Sequence, residues 1–337
     1  MMARQMFRNH KKAERNHFHF CLLCPIFNFV QFFREAACRP ASGSLIAEMF
    51  DPSTRGMANG IFSWGTYIGN GLTFVLGNYL PWRIAFLAGC TPGLLSAAFL
   101  WFLPDPRNRK AKLSQNEKKP SKRSEKQYFN TVLTSLMQPA MLLLFAAAAV
   151  RHTGGYAWVY NCQNYFNQYF PEYDVGMWLT SCSIFGGGLG VFFGGWISDS
   201  LVTRFGLHSR LWLLSVATVM AAPCAAGVLS TQPPIAFGFL MAYYFLAETW
   251  FAILFTVLVE IVPAEVRSVC IAVFLFMMNN VGGNLPVIVA PIAEIHTLRW
   301  ALYIIWAGFV AASGVLFFIA SLPLWKIHRK QSEVEKL

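Results

Sequence analysis

Arg151 is a lone cation well inside an apolar run that opens near Pro139, and His152, Thr153, Gly154 and Gly155 follow it. A charge at the middle of a bilayer costs about 2.5–3.5 kcal/mol on insertion scales, so it is retained where it meets a cavity or a partner. Two readings follow. Arg151 presents a guanidinium to an anionic head group from a helix softened by two glycines, or it snorkels at the outer end of a shorter helix, 131–150. Glu248 is the matching carboxylate, mid-run in 235–262 among Tyr243, Tyr244 and Trp250. It can pair with Arg151 or take up a proton during a transport cycle. His152 and Glu35 complete the titratable candidates for a solute or proton pathway. Asn279 and Asn280, in the run 268–293, are amides that either line such a path or hold helices together.

A second set of charges stands at the ends of apolar runs: Asp199, Arg204 and Arg210, with Glu48, Arg55, Glu260 and Arg267. A carboxylate at a helix end that pairs with an arginine in one conformation only would act as a gate, because a contact drives a transition when it differs between the states. The plainer reading is a set of helix-end charges arranged by topology. Asn161, Gln163, Asn164, Asn167 and Gln168 are interleaved with Tyr165, Phe166, Tyr169 and Phe170, which reads as an interfacial aromatic belt or a substrate gate.

The elements that must position these groups are apolar runs at 57–80, 84–103, 134–160, 175–198, 211–230, 235–262, 268–293 and 299–325, with a weaker ninth within 18–50. Each is close to the roughly 20 residues that cross a hydrocarbon core. No stretch alternates at period two long enough for a membrane barrel. Only 13% of the 337 residues are charged and 55% are hydrophobic; mean hydropathy is +0.44. The fold class is therefore all-α, a polytopic membrane helix bundle of about nine transmembrane helices, with the lipid bilayer as its principal partner.

The net charge of +11 lies in short stretches between the runs, as in cytoplasmic loops of membrane proteins. Nucleic-acid binding is excluded as the reading, since no groove-reading or base-stacking motif accompanies the charge. Eight alternating crossings from residue 57 put every basic stretch on one side. The chain divides into an atypical N-terminal segment (1–33), a first helical group (34–104), a basic cytoplasmic linker (105–130), a six-helix group (131–325) and a tail (326–337). The basic start and apolar stretch of 1–33 fit a signal peptide or an unrelated start. Cys21 and Cys24 form an isolated C-x-x-C without a second ligand pair, so no metal and no cofactor is expected. The dispersed histidines argue against a membrane enzyme, and no G-x-x-x-x-G-K-[ST] is present for ATP-driven pumping.

Residues 48–72 and 260–284 align without a gap. Glu48 falls on Glu260, Arg55 on Arg267, Phe62 on Phe274 and Gly71 on Gly283, and each copy has a proline, Pro52 or Pro263, between its Glu and Arg. Parallel repeats of this kind build many transporters.

These residues also carry a family resemblance. Gly195-Trp-Ile-Ser-Asp199 followed by Arg204, Gly206 and Arg210 resembles the G-x-x-x-D and basic-turn motif of the major facilitator superfamily. Glu35-Ala36, Pro40-Ala41, Ser44-Leu45-Ile46-Ala47-Glu48, Trp82-Arg83 and Leu103-Pro104-Asp105-Pro106-Arg107 resemble its spinster-like group. The resemblance covers roughly residues 34–325. It implies the fourth through twelfth helices of a twelve-helix carrier, with the first three of twelve missing. It also implies alternating access and a small or lysolipid-like anionic solute, driven by a coupling proton or another ion gradient, or moved by facilitation alone. The alternative is a truncated, non-transporting membrane protein or a regulatory partner of a full-length carrier.

Overall fold

The computed structural model describes residues 41–102 and 125–334. Glu35, the Cys21/Cys24 pair, residues 103–104 and residues 105–124 of the basic linker lie outside the described residues. A helical stretch at 41–49 leads into α1 (Arg55–Tyr79) and α2 (Trp82–Trp101). After the linker come α3 (Glu125–Leu136) and α4 (Pro139–Tyr169). α5 (Val175–Ser181) passes through a π-helical turn (Cys182–Gly187) into α6 (Gly188–Phe205). Then follow α7 (His208–Ser230), α8 (Ile235–Ala247), α9 (Thr249–Ile261) and α10 (Arg267–Asn284). The last hairpin is α11 (Val289–Ile295), α12 (Leu298–Leu302), a second π turn (Tyr303–Gly308) and α13 (Phe309–Val334).

Local chemistry sets the breaks. Pro139 opens α4 at a position where a missing N–H costs nothing, and the axis turns by 59° between α3 and α4. The Asp174 side chain accepts from the Gly176 N–H and caps α5. Gly206, at φ 86°, ends α6 in the left-handed region, where a side chain would be strained. Residues 125–130, within the stretch expected to be linker, already form the start of α3, and α13 continues past 326 into the expected tail.

Among the described residues, six helical spans are long and apolar enough to cross a membrane, or seven when the bent α3–α4 pair counts as one. These are seven of the eight clear runs in the sequence. The eighth, α1, has the length but not the apolarity, and the ninth lies largely outside the described residues. The polarity of α1 has a physical cause: it is hydrogen-bonded along its length to the C-terminal bundle. Asn59 donates to Thr256 Oγ1 (2.9 Å), Ser183 to the Tyr67 carbonyl (3.2 Å), Thr180 to the Gly71 carbonyl (3.0 Å), and the Tyr79 hydroxyl to Asp174. By contrast α2 turns its apolar side chains outward, Phe86 at 70% and Leu94 at 71% exposure, as a lipid-facing helix does.

Helices have no hydrophobic drive to associate within lipid, so close packing and hydrogen bonds must hold them. The α1–α6 seam uses glycine for this. A Cβ on Gly195 would collide with the Gly56 carbonyl. Gly195→Val is expected to force α1 and α6 apart, lowering stability by about 1–3 kcal/mol, the usual cost of overpacking. Thermal unfolding in nanodiscs measures this, and a midpoint equal to the parent's would refute the close approach. Among the described residues, two large apolar cores fill the bundle, with a small third cluster of Tyr67, Val191 and Ala252. One large core, around Leu144, Leu211, Leu258, Phe274 and Phe317, lies toward the end bearing Arg55 and Arg210. The other, around Trp158, Tyr165, Phe166, Leu240 and Trp306, lies toward the opposite end.

Candidate functional site

Arg151 lies in the interior of the 31-residue α4 and is 1% exposed. The helix continues to Tyr169, so the arginine has no short route to a membrane surface, and the snorkelling reading falls away. Its partner sits at a helix break. α8 ends at Ala247 and α9 begins at Thr249, with Glu248 between them. A lapse in the helical ladder leaves a carbonyl needing a donor. Arg151 Nη2 supplies it, donating to the Ala247 carbonyl at 2.9 Å and facing Glu248 Oε1 at 3.5 Å. The other Glu248 oxygen accepts from the Tyr67 hydroxyl at 2.7 Å. The guanidinium also lies 5.1 Å from the Trp250 ring centroid, a cation–π contact.

Beside this pair the His152 Nε2–H donates to the Asn279 side-chain oxygen at 2.9 Å. The His152 ring packs edge-on against Tyr156, with centroids 4.4 Å apart. Three helices thus supply the charged centre and its nearest partners: α4 gives Arg151 and His152, the α8–α9 break gives Glu248, and α1 gives Tyr67. A fourth, α10, contributes Asn279. Asn280 points elsewhere, exposed and donating to the Phe276 carbonyl of its own helix at 2.8 Å. Tyr67 was not among the residues expected from sequence. A signal was present: in the gap-free alignment of the two repeat copies, Tyr67 falls opposite Asn279, and the two side chains meet adjacent parts of the same centre.

The Lys/Arg-rich end holds the second constellation. Arg210, fully buried on α7, uses all five of its N–H groups. Nη1 donates to Ser198 Oγ (2.7 Å) and Asp199 Oδ1 (2.8 Å). Nη2 donates to the Pro52 carbonyl (2.8 Å) and Glu260 Oε1 (3.2 Å), and Nε to Glu260 Oε2 (3.2 Å). Arg55 adds a second cation 3.5 Å from Glu260, while its Nη2 donates to the Ala47 and Phe50 carbonyls.

Asp199 does a further job. The N-cap residue of α1, Thr54, makes no side-chain cap, so the first N–H groups of that helix need an acceptor from elsewhere. Asp199 provides it, accepting from the Gly56 N–H at 3.0 Å and the Met57 N–H at 2.8 Å. A carboxylate at a helix N-terminus is also favoured by the helix dipole. Asp199, Arg210, Glu260 and Arg55 therefore form one network across the seam. Arg204 is exposed at the end of α6 and stands outside it. Glu48 and Arg267 interact electrostatically at the rim. The pairing crosses the two repeat copies, joining the arginine of the first to the glutamate of the second.

Residues 22–286 match the sequence profile of the Major Facilitator Superfamily. The chain belongs to the major facilitator superfamily. It is a multi-pass integral membrane protein. Over 203 residues it is 27% identical to an uncharacterized transporter, YybO, of Bacillus subtilis (strain 168), an alignment covering 54% of this chain and 45% of that protein. The chain thus spans about half the length of the curated relative it matches. Its fold is similar to that of a bacterial homolog of the human lysosomal transporter Spinster, crystallised inward-facing and unoccupied. The TM-score is 0.54 at 18% identity, over 84% of this chain and 74% of that one. The charged centre lies where α1, α4 and the α8–α9 break meet. A cleft of about 600 Å³ lies elsewhere, lined by the far end of α4 and by α11.

Proposed function

We propose that this chain acts as a secondary carrier, moving an amphipathic anion across the bilayer by alternating access around Arg151. The observation that carries the proposal is the buried Arg151–Glu248 pair, closed by Tyr67 from α1. A buried ion pair is a poor source of stability, so its persistence inside lipid calls for a role. Glu248 is a weak competitor at 3.5 Å, and an anionic head group with better geometry would displace it from the guanidinium. The released carboxylate then takes a proton, and the Tyr67 contact that ties α1 to the centre is altered with it.

The network at Asp199, Arg210, Glu260 and Arg55 fits the same cycle. It holds the α1 end against the bundle in this conformation, and the bonds must open when the seam separates at that end. A ligand moves such an equilibrium only by binding the two states differently. The aromatic side chains around the pair, Trp250 and Tyr156 among them, suit the apolar part of a single-chain lipid. Both relatives are described as transporters or transporter homologs, which supports the class but names no solute for this chain.

Reconstitution tests the proposal. The full chain in proteoliposomes should take up a labelled lysophospholipid with an anionic head saturably, and faster when a proton gradient is imposed. Uptake no greater than in protein-free vesicles, from monodisperse folded protein, would refute the carrier reading.

A further inference from the structure

Asn161, Asn164 and Gln168 stand at i, i+3 and i+7 on α4 and so share one face of the helix. Cys162, Tyr165 and Phe166 carry the opposite face into the core. The amide face lines the cleft of about 600 Å³, whose other wall is α11 and the turn after it, with Glu294 and His296. Val289 and Ala293 form an apolar floor. Among the described residues, Asn164 and Gln168 make no hydrogen bond. Asn161 donates its N–H to the Ala157 carbonyl at 2.9 Å, which leaves its oxygen to accept.

A carboxamide both donates and accepts, which matches a hydroxyl, itself donor and acceptor. The lining carries a single charged side chain, Glu294. An anion would meet Glu294, and a metal ion would lack ligands, since no group of three metal-binding side chains occurs among the described residues. The guanidinium of Arg299 is held nearby over the Tyr169 ring, 4.6 Å from its centroid. An apolar ligand would leave the amides unpaired, at roughly 1–3 kcal/mol for each buried group. The volume is within the range of small-ligand sites, about 300–1,000 Å³.

We propose that this cleft binds an uncharged, hydroxyl-rich head group, a sugar or polyol, at the end of the molecule that the Lys/Arg asymmetry places outside. The ligand comes either free from solution or as the glycosylated head of an outer-leaflet lipid. The proposal stands apart from the transport reading, because none of its residues touches the Arg151 centre.

The test uses the full chain in phosphatidylcholine nanodiscs, purified without sugar-headed detergent. One arm titrates maltose by calorimetry. The other compares thermal shifts in nanodiscs with and without a monoglycosyl lipid. Saturable binding is expected in at least one arm, and the arm that responds identifies the source. Asn164→Leu/Gln168→Leu should weaken it at least about tenfold, the equivalent of one or two lost hydrogen bonds, whereas Asn167→Leu, outside the lining, should not. Should the double variant fail to fold, Ala290→Trp fills the cleft from the exposed side of α11 and must abolish binding. Saturation in neither arm, or equal loss in Asn167→Leu, overturns the proposal.

Discussion

Arg151→Ala is expected to lower initial uptake by at least about a hundredfold and to destabilise the protein by about 3–5 kcal/mol, the usual cost of breaking a buried pair from one side. The loss has three parts. The Ala247 carbonyl at the helix break loses its 2.9 Å donor. Glu248 is left with Tyr67 alone. The aromatic face of Trp250 loses its cation. Arg151→Lys keeps the charge but not the planar fork that reaches both the carbonyl and the carboxylate, so it should recover part of the stability and little of the flux. The double variant Arg151→Met/Glu248→Gln separates structure from transport. With both charges gone, no ion is left buried alone, and stability should return toward the parent while uptake stays absent. Proteoliposome uptake and thermal unfolding in nanodiscs give the two readouts. Parental flux from a folded Arg151→Ala protein would remove the basis of the proposed mechanism.

Arg210→Ala should be the most damaging single change to the fold, at the upper end of the same 3–5 kcal/mol range. It removes five hydrogen bonds at once and leaves Asp199 and Glu260 as neighbouring buried carboxylates, with Arg55 as the remaining cation at 3.5 Å from Glu260. Because Asp199 also caps α1 through Gly56 and Met57, the start of that helix should loosen. A cysteine introduced at Met57 should then react faster with a membrane-impermeant maleimide. Arg204→Ala is the internal comparison. Its side chain is exposed and outside the network, so its effect should stay within about 0.5 kcal/mol. Equal stability and equal labelling in the two variants would show that the network does not hold the seam.

Much of the bundle was legible from residues alone because the cost of exposing polar atoms to lipid is local. Each run of about 20 apolar residues announces its own span, and the Lys/Arg stretches announce its ends. The repeat gave two helix starts directly: α1 begins at Arg55 and α10 at Arg267. Arg151, Glu248 and His152 stood out because a titratable group in an apolar run is expensive. The α3–α4 bend and the break at Glu248 were not legible. Glu248 lies in a continuous run of good spanning residues, and the lapse in its helix is tolerated because an arginine from another helix supplies the missing donor.

The amino-acid sequence by itself determined seven of the segments long and apolar enough to enter a membrane, where the charges sit along them, and that the chain is an all-helical membrane bundle. The tertiary structure alone decided which charges meet. Arg55 turned to Glu260, its counterpart's glutamate in the other repeat copy, and Tyr67 reached Glu248 across the seam. Burial cost depends on a residue and its immediate neighbours in the chain, so it can be read in one dimension. Pairing depends on how closely two helix backbones approach, which the glycines at 56 and 195 permit but do not announce.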